Sequence, residues 1–234
     1  IVPRYHAVSI EQPCLLRVLN FPDTGVFAKT LPCHKRNPKL GDKVVIFSDQ
    51  VYVEQADAAR VKIGEKVTLM DWGNAHVRHV ESGDNNTIKE LHVELALEDT
   101  DFSGTKRLTW VANHPASVFV DLVEYDTLIS KPKLEKEKKN RPGDKFEDFA
   151  RTKLDYHTLA IGDANLKNLK KGDKIQLERR GYFIVDVSHS EKKSAASSSS
   201  NDDDDRHPTI TLIKIPEGKL KDVSILSSKV QTRT

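Results

Sequence analysis

Hydrophobic positions along the chain come in short β-branched runs divided by turn residues, not in helical stripes. Runs of this kind occupy 14–19, 43–47, 51–54, 66–70, 75–80, 88–97, 106–112, 118–124, 174–178, 182–187 and 209–215. Several alternate with period two: Leu91, Val93, Leu95 and Leu97 share one face, while His92, Glu94 and Ala96 share the other. That alternation is the mark of a half-buried strand. Between the runs stand Leu40-Gly41-Asp42, Ile63-Gly64-Glu65, Ser82-Gly83-Asp84-Asn85 and Lys171-Gly172-Asp173, whose Gly, Asp and Asn favour turns. About eleven short strands at such spacing predict a mainly β chain built as antiparallel barrels or sandwiches. Helical pattern is confined to a turn at 57–60, a short helix over 144–155 with Phe146, Phe149 and Ala150 inward, and a turn at 165–169.

Two stretches break the pattern. Residues 131–145 mix Lys and Glu with Pro and Gly and have nothing to bury, so they read as a connection. Residues 191–206 are rich in Ser and end in the run Asp202 to Asp205; such a segment cannot offset its ordering entropy and is expected to be a disordered Ser/Asp-rich loop between strands. The basic tail after Gly218 is expected to fray.

A length of 234 residues allows one or two domains. The balance of 37 Lys+Arg against 35 Asp+Glu excludes neither nucleic acid nor protein partners, because clustering matters more than the sum. With no run of ~18 apolar residues, a membrane-spanning helix is not expected. The opening Ile1-Val2-Pro3-Arg4-Tyr5 has neither Met nor a signal pattern, which suggests a piece of a longer protein. Cys14 and Cys33 are too few for a disulfide framework, so a reducing, intracellular setting is expected. Asn85-Asn86-Thr87 fits a glycosylation acceptor and otherwise reads as a loop.

No phosphate loop, nucleophile elbow or His-Glu-x-x-His stretch appears, and the nine histidines are scattered. Only His76 and His79 lie close, on opposite faces if 75–80 is a regular strand. Cys33-His34 alone is too small a cluster for zinc. A binding module fits better. Basic residues neighbour aromatic or amide ones in Pro3-Arg4-Tyr5, His34-Lys35-Arg36-Asn37-Pro38, Met70-Asp71-Trp72-Gly73-Asn74 and Gln176-Leu177-Glu178-Arg179-Arg180-Gly181-Tyr182. Arg, Gln and Asn can hydrogen-bond unstacked base edges while Trp or Tyr stacks on them. The competing reading has these charges capping barrel edges and Trp72 filling a core.

At these residues the sequence resembles the C-terminal anticodon-binding region of eukaryotic cytosolic glutamyl-tRNA synthetases, including the glutamyl half of fused glutamyl-prolyl enzymes. Val53-Glu54-Gln55-Ala56-Asp57-Ala58, Gly64 to Asn74 and Leu169 to Phe183 carry the likeness along with the stretches above. Asp71-Trp72-Gly73-Asn74 favours the glutamyl enzyme over its glutaminyl relative. The resemblance implies two six-stranded β-barrels of the ribosomal protein L25-like kind. The proximal barrel would take 1–59 and 115–234, and the distal barrel 60–114. It implies a class I parent, a glutamate-tRNA ligase, whose upstream catalytic domain uses ATP and Mg. This chain alone is then expected to be non-catalytic and to hold no cofactor. Ile129-Ser130-Lys131-Pro132 is not a nucleotide-binding signature. The implied partner is the tRNA(Glu) anticodon stem-loop in the cytoplasm, with accessory proteins of a multi-synthetase complex as further partners and neither DNA nor membrane.

The resemblance also implies roles. Arg4, Gln176 and Arg179 match positions that contact the middle anticodon uridine in the glutaminyl relative. Uracil's edge offers two acceptor oxygens around one N–H; a Gln amide both gives and takes, and an Arg only donates. The competing reading of Arg179 is an edge ion pair with Glu178 or Asp173. Arg36 and Asn37 fall in a loop that approaches the first anticodon base, and Trp72 and Asn74 are expected anticodon contacts of the distal barrel. Lys35, Lys170 and Lys171 would position phosphates without specifying sequence. The alternatives are the same region of a glutaminyl enzyme, or a protein-docking appendage without base specificity.

Overall fold

A computed structural model describes residues 1–131, 133–136, 142–191 and 209–216. In chain order its strands begin with β1 (Arg4–Tyr5), β2 (Ala7–Ser9), β3 (Cys14–Val18), β4 (Phe27–Pro32), β5 (Asp42–Phe47), β6 (Gln50–Val53), β7 (Lys66–Leu69) and β8 (Gly73–Ser82). They continue with β9 (Ile88–Leu95), β10 (Lys106–Leu108), β11 (Trp110–Ala112), β12 (Val118–Tyr125), β13 (Asp155–Gly162), β14 (Lys174–Leu177), β15 (Gly181–Val187) and β16 (Ile210–Lys214). Every predicted run is strand, with 106–112 divided into β10 and β11. Four more strands, β1, β2, β4 and β13, join them.

All strands but β4 and β5, which pair with each other, form two nearly closed barrel-shaped sheets. One runs β1-β14-β15-β16-β12-β13-β2 and the other β10-β7-β8-β9-β3-β6-β11. The edge strands of each sheet are consecutive in the chain, parted only by His6 in the first and Thr109 in the second. One continuous stretch of backbone therefore supplies both edges, which leaves little open edge for another chain. Pairing is mixed: β1 with β14, β3 with β9, β7 with β10 and β12 with β16 are parallel.

Sheet membership moves the expected boundary at residues 59/60 to between β2 and β3, while the switch near 114/115 falls between β11 and β12. Leu16 of β3 sits opposite Val51 of β6 on one side and Leu91 of β9 on the other, so strands before residue 60 complete the same barrel as 66–112. The β4–β5 hairpin packs Phe27 and Phe47 against that barrel's core. The first barrel thus draws its strands from 4–9 and from β12 onward, around a core including Leu122, Ile175, Leu177, Phe183 and Leu212. Between the barrels, Val8, Val111 and Ile161 form a small apolar seam with Ile10 and Tyr52 beside it.

Local departures have local causes. The helix expected over 144–155 is only a 3-10 turn at Phe146–Asp148, because Phe146 is exposed and Ala150 instead bridges to Ile129. No apolar stripe is buried there to support longer helix. One helical turn, α1, spans Gln55–Ala58, and a 3-10 turn spans Ala164–Asn168. In β8 a bulge at Arg78 puts His76 opposite Glu94 and His79 opposite His92, so both histidines face the same side, not opposite ones. The segment 192–206 and the tail after Gly218 lie outside the described residues. Among the described residues no helix is long and apolar enough to cross a membrane.

Candidate nucleic-acid interface

Three neighbouring strands bring Arg4, Gln176 and Tyr182 into one row. Arg4 pairs with Gln176 across β1 and β14, and Gln176 pairs with Tyr182 across β14 and β15. Their sequence neighbours Tyr5, Ile175, Leu177 and Phe183 are buried, so strand alternation turns the row outward. Directly opposed side chains lie ~5 Å apart, close enough to act on one planar ligand. Tyr182 is 40% exposed, an aromatic ring beside an amide and a guanidinium.

Beside the row lies the loop from Cys33 to Gly41. The Arg4 N–H donates to the Cys33 carbonyl at 2.8 Å, which ties the loop to β1. Within it the Arg36 N–H donates to His34 Nδ1 (3.1 Å), and Asn37 Oδ1 accepts from the Lys39 N–H (3.3 Å) to cap a 3-10 turn at Pro38–Leu40. Arg36 is left exposed. Lys35 is also mostly exposed, its Nζ 3.0 Å from Asp71 Oδ1.

Asp71 is the anchor below. Its carboxylate also accepts from buried Lys43 at 3.0 Å, and Lys43 donates in turn to the Arg4 carbonyl at 3.0 Å. His6 lies 3.7 Å away, its Nδ1 donating to the Trp110 carbonyl at 3.2 Å. Burial would raise the Asp71 pKa, but the ammonium groups of Lys43 and Lys35 outweigh it and hold the carboxyl at about 2. Burial and then Lys43 push His6 down, so the ring stays neutral. One carboxylate therefore links β1, β5 and the loop carrying Lys35 and Arg36.

Arg179 follows β14 in a left-handed conformation, φ +65°. Its two terminal nitrogens grip both oxygens of Asp57 on α1, the Nη2–Oδ1 bond measuring 2.7 Å. Arg180 grips Glu54 next door, which also accepts from the Ser9 N–H at 3.0 Å. The partner is thus neither Glu178, which lies 3.5 Å from Arg4, nor Asp173, which accepts from the Lys170 N–H at 2.8 Å. These ion pairs cross from one barrel to the other. A guanidinium 37% exposed still presents part of its fork to solvent.

Family models described as the anti-codon binding domain of class I tRNA synthetases (E and Q) match residues 2–96 and 107–186. The chain belongs to the anticodon-binding domains of class I glutamyl- and glutaminyl-tRNA synthetases. Among curated relatives, a probable cytoplasmic glutamate–tRNA ligase of Schizosaccharomyces pombe is 43% identical over 80% of this chain and 25% of its own length. The cytoplasmic glutamate–tRNA ligase of Arabidopsis thaliana is 38% identical over 80% of this chain and 25% of its length. A bifunctional glutamate/proline–tRNA ligase of Mus musculus is 34% identical over 100% of this chain and 14% of its length. The chain spans a quarter or less of these relatives.

Within this anticodon-binding domain two expected contacts pack toward the core of the barrel of 66–112, Asn74 fully buried and Trp72 partly buried. Asn74 is fully buried: its oxygen accepts from Thr68 Oγ1 (2.7 Å) and its amide donates to the carbonyls of Asp99 (2.9 Å) and Asp101 (2.8 Å). Those bonds shape the 99–101 loop and leave no edge for a base. Trp72 packs into an aromatic cluster, with ring centroids 6.1 Å from Phe21, 5.0 Å from Phe47 and 4.8 Å from Trp110. The core reading of Trp72 is the one this packing supports. Lys170 and Lys171 are exposed at the other end of β14 from Arg179, with Lys171 Nζ 3.6 Å from Asp186. Tyr182 stands in one of the basic–aromatic stretches but has no assigned role there; its alternation with buried Phe183 is what marks it as outward.

Proposed function

We propose that this chain reads the anticodon stem-loop of tRNA(Glu) for a glutamate–tRNA ligase, in the cytoplasm, with ATP- and Mg-dependent chemistry in the parent's catalytic domain. The observation that carries the reading is the outward row Arg4–Gln176–Tyr182 on a domain of this family. Gln176 can pair with both the N–H and an oxygen of a uracil edge, and Arg4 can donate to the remaining oxygen. Tyr182 offers a stacking face at low entropy loss. Arg179, preset by Asp57, supplies a further donor. Lys35, Arg36 and Asn37 flank one side of the row, and Lys170 and Lys171 suit the backbone beyond it. Glutamate specificity is supported by relatives named glutamate–tRNA ligases, and the bifunctional relatives support a parent with further domains.

Filter binding of wild type and Gln176→Ala to tRNA(Glu), and to the same tRNA with its middle anticodon base changed, tests this. An acceptor or donor left unpaired on the base costs about 1–3 kcal/mol, roughly five- to 150-fold, and only where the cognate base is present. Equal losses on both RNAs would sink base reading. Tighter binding of tRNA(Gln) than tRNA(Glu) would move the specificity to the glutaminyl enzyme.

A further inference from the structure

Where Arg179 crosses to Asp57, the barrels enclose a cleft of about 210 Å3 lined chiefly by Asp57, Arg60, Lys106, Arg107, Leu108 and Arg179. Two of its cations are already matched. Arg179 is held by Asp57, and Lys106 Nζ lies 2.7 Å from Glu65 Oε1. Arg60 and Arg107 are not: both side chains are exposed, and among the described residues neither guanidinium has a carboxylate partner. The cleft therefore carries two surplus positive charges over an apolar floor at Leu108, which is 1% exposed.

This convergence is a product of the fold. Arg60 follows α1, and Arg107 lies 47 positions later on β10, which pairs in parallel with β7. The cleft adjoins the outward row, since Arg179 stands three residues beyond Gln176 in the chain. A guanidinium fork matches a phosphate's oxygens and is weakly hydrated, so a pair of unmatched forks at a cleft favours a phosphodiester. A nucleotide whose base lies over Gln176 would carry its backbone past this place. We infer that Arg60 and Arg107 form a backbone-phosphate site for the same RNA strand, gripping it without reading sequence. The inference rests on the anticodon-reading proposal for its ligand, not for its geometry.

The test is binding of the 234-residue chain to tRNA(Glu) and to its middle-base variant across 50–300 mM KCl. Each lost phosphate contact should make the slope of log K against log salt shallower by about 0.7–0.9. Arg60→Ala/Arg107→Ala should therefore weaken both RNAs alike, on the order of ten-fold near 0.1 M salt. Arg60→Lys/Arg107→Lys keeps the charge and should keep the slope, which separates lost charge from misfolding. An unchanged slope in the alanine variant overturns the site, and so does a loss confined to the cognate base. A wild type indifferent to the middle base, with the slope still lowered in the alanine variant, would sink base reading and leave the phosphate site standing.

Discussion

Asp71 holds a left-handed backbone, φ +62°, which Asp tolerates better than most residues, and keeps its carboxylate nearly out of water. Because its folded pKa of about 2 lies below the ordinary 3.8, the unfolded chain takes up the proton first. Its contribution is complete above pH ~4 and is lost as pH falls toward ~2, about 2 kcal/mol in all. Neutral His6 works from a higher range, since the unfolded imidazole charges below ~6.5 while the buried one resists. Urea midpoints for wild type should therefore fall in two stages as pH drops. Asp71→Asn should be weaker at neutral pH, because Lys43 loses its partner, yet lose less between pH 4 and 2. An acid limb identical to wild type would refute the assignment. Arg179→Ala leaves the buried Asp57 carboxylate without its fork; with the guanidinium partly solvated, the loss should be about 1–2 kcal/mol. Adding Asp57→Asn should restore thermal stability while RNA affinity stays low. Affinity that recovers together with stability would reduce Arg179 to a structural ion pair.

Single elements show why some of the fold was legible in the amino-acid order and some was not. The eleven predicted runs are apolar because each has residues that meet a core, several of them with period two, and burial leaves that trace in the residues themselves. Strand β4 leaves none: both its faces are largely exposed and it pairs only with β5. β13 begins Asp155-Tyr156-His157 with little burial, and β1 and β2 are too short to show a period. The bulge at Arg78 has no sequence mark at all, yet it sets both His76 and His79 facing β9 neighbours on one side. At the end of β13, Gly162 lies under the Ala164–Asn168 turn, where a Cβ would sit 2.3 Å from Leu166 Cδ1 and 3.1 Å from Val120 Cγ2. Leu166 is fully buried and has nowhere to retreat. Gly162→Ala should destabilise the protein by about 1–3 kcal/mol through overpacking, read as a lower urea midpoint at unchanged m-value. A neutral result would show that the turn can lift off the sheet.

In the whole molecule, the seam of Val8, Val111 and Ile161, the Arg179–Asp57 and Arg180–Glu54 pairs, and Asn165 bonded to both backbone groups of Val44 join the barrels. Val44 lies on the hairpin packed against one barrel, and Asn165 on the turn packed in the other. Coupling this broad predicts one unfolding transition. Trp72 and Trp110 both report on the second barrel, whereas far-ultraviolet circular dichroism reports on both. The two signals should give the same urea midpoint within error. Separate midpoints would mean that the barrels unfold independently. Read by itself, the sequence determined the mainly β class, the strands that face a core, the turn sites and the basic–aromatic stretches, because each is encoded within a few neighbouring residues. Only the tertiary structure decided that β3 and β6 complete the barrel of 66–112, that Asn74 turns inward and Trp72 packs on an aromatic cluster, that Asp57 is the partner of Arg179, and that Arg60 and Arg107 line one cleft. Those outcomes depend on which strands pair across the chain, and strand pairing is a non-local choice that alternation alone leaves open.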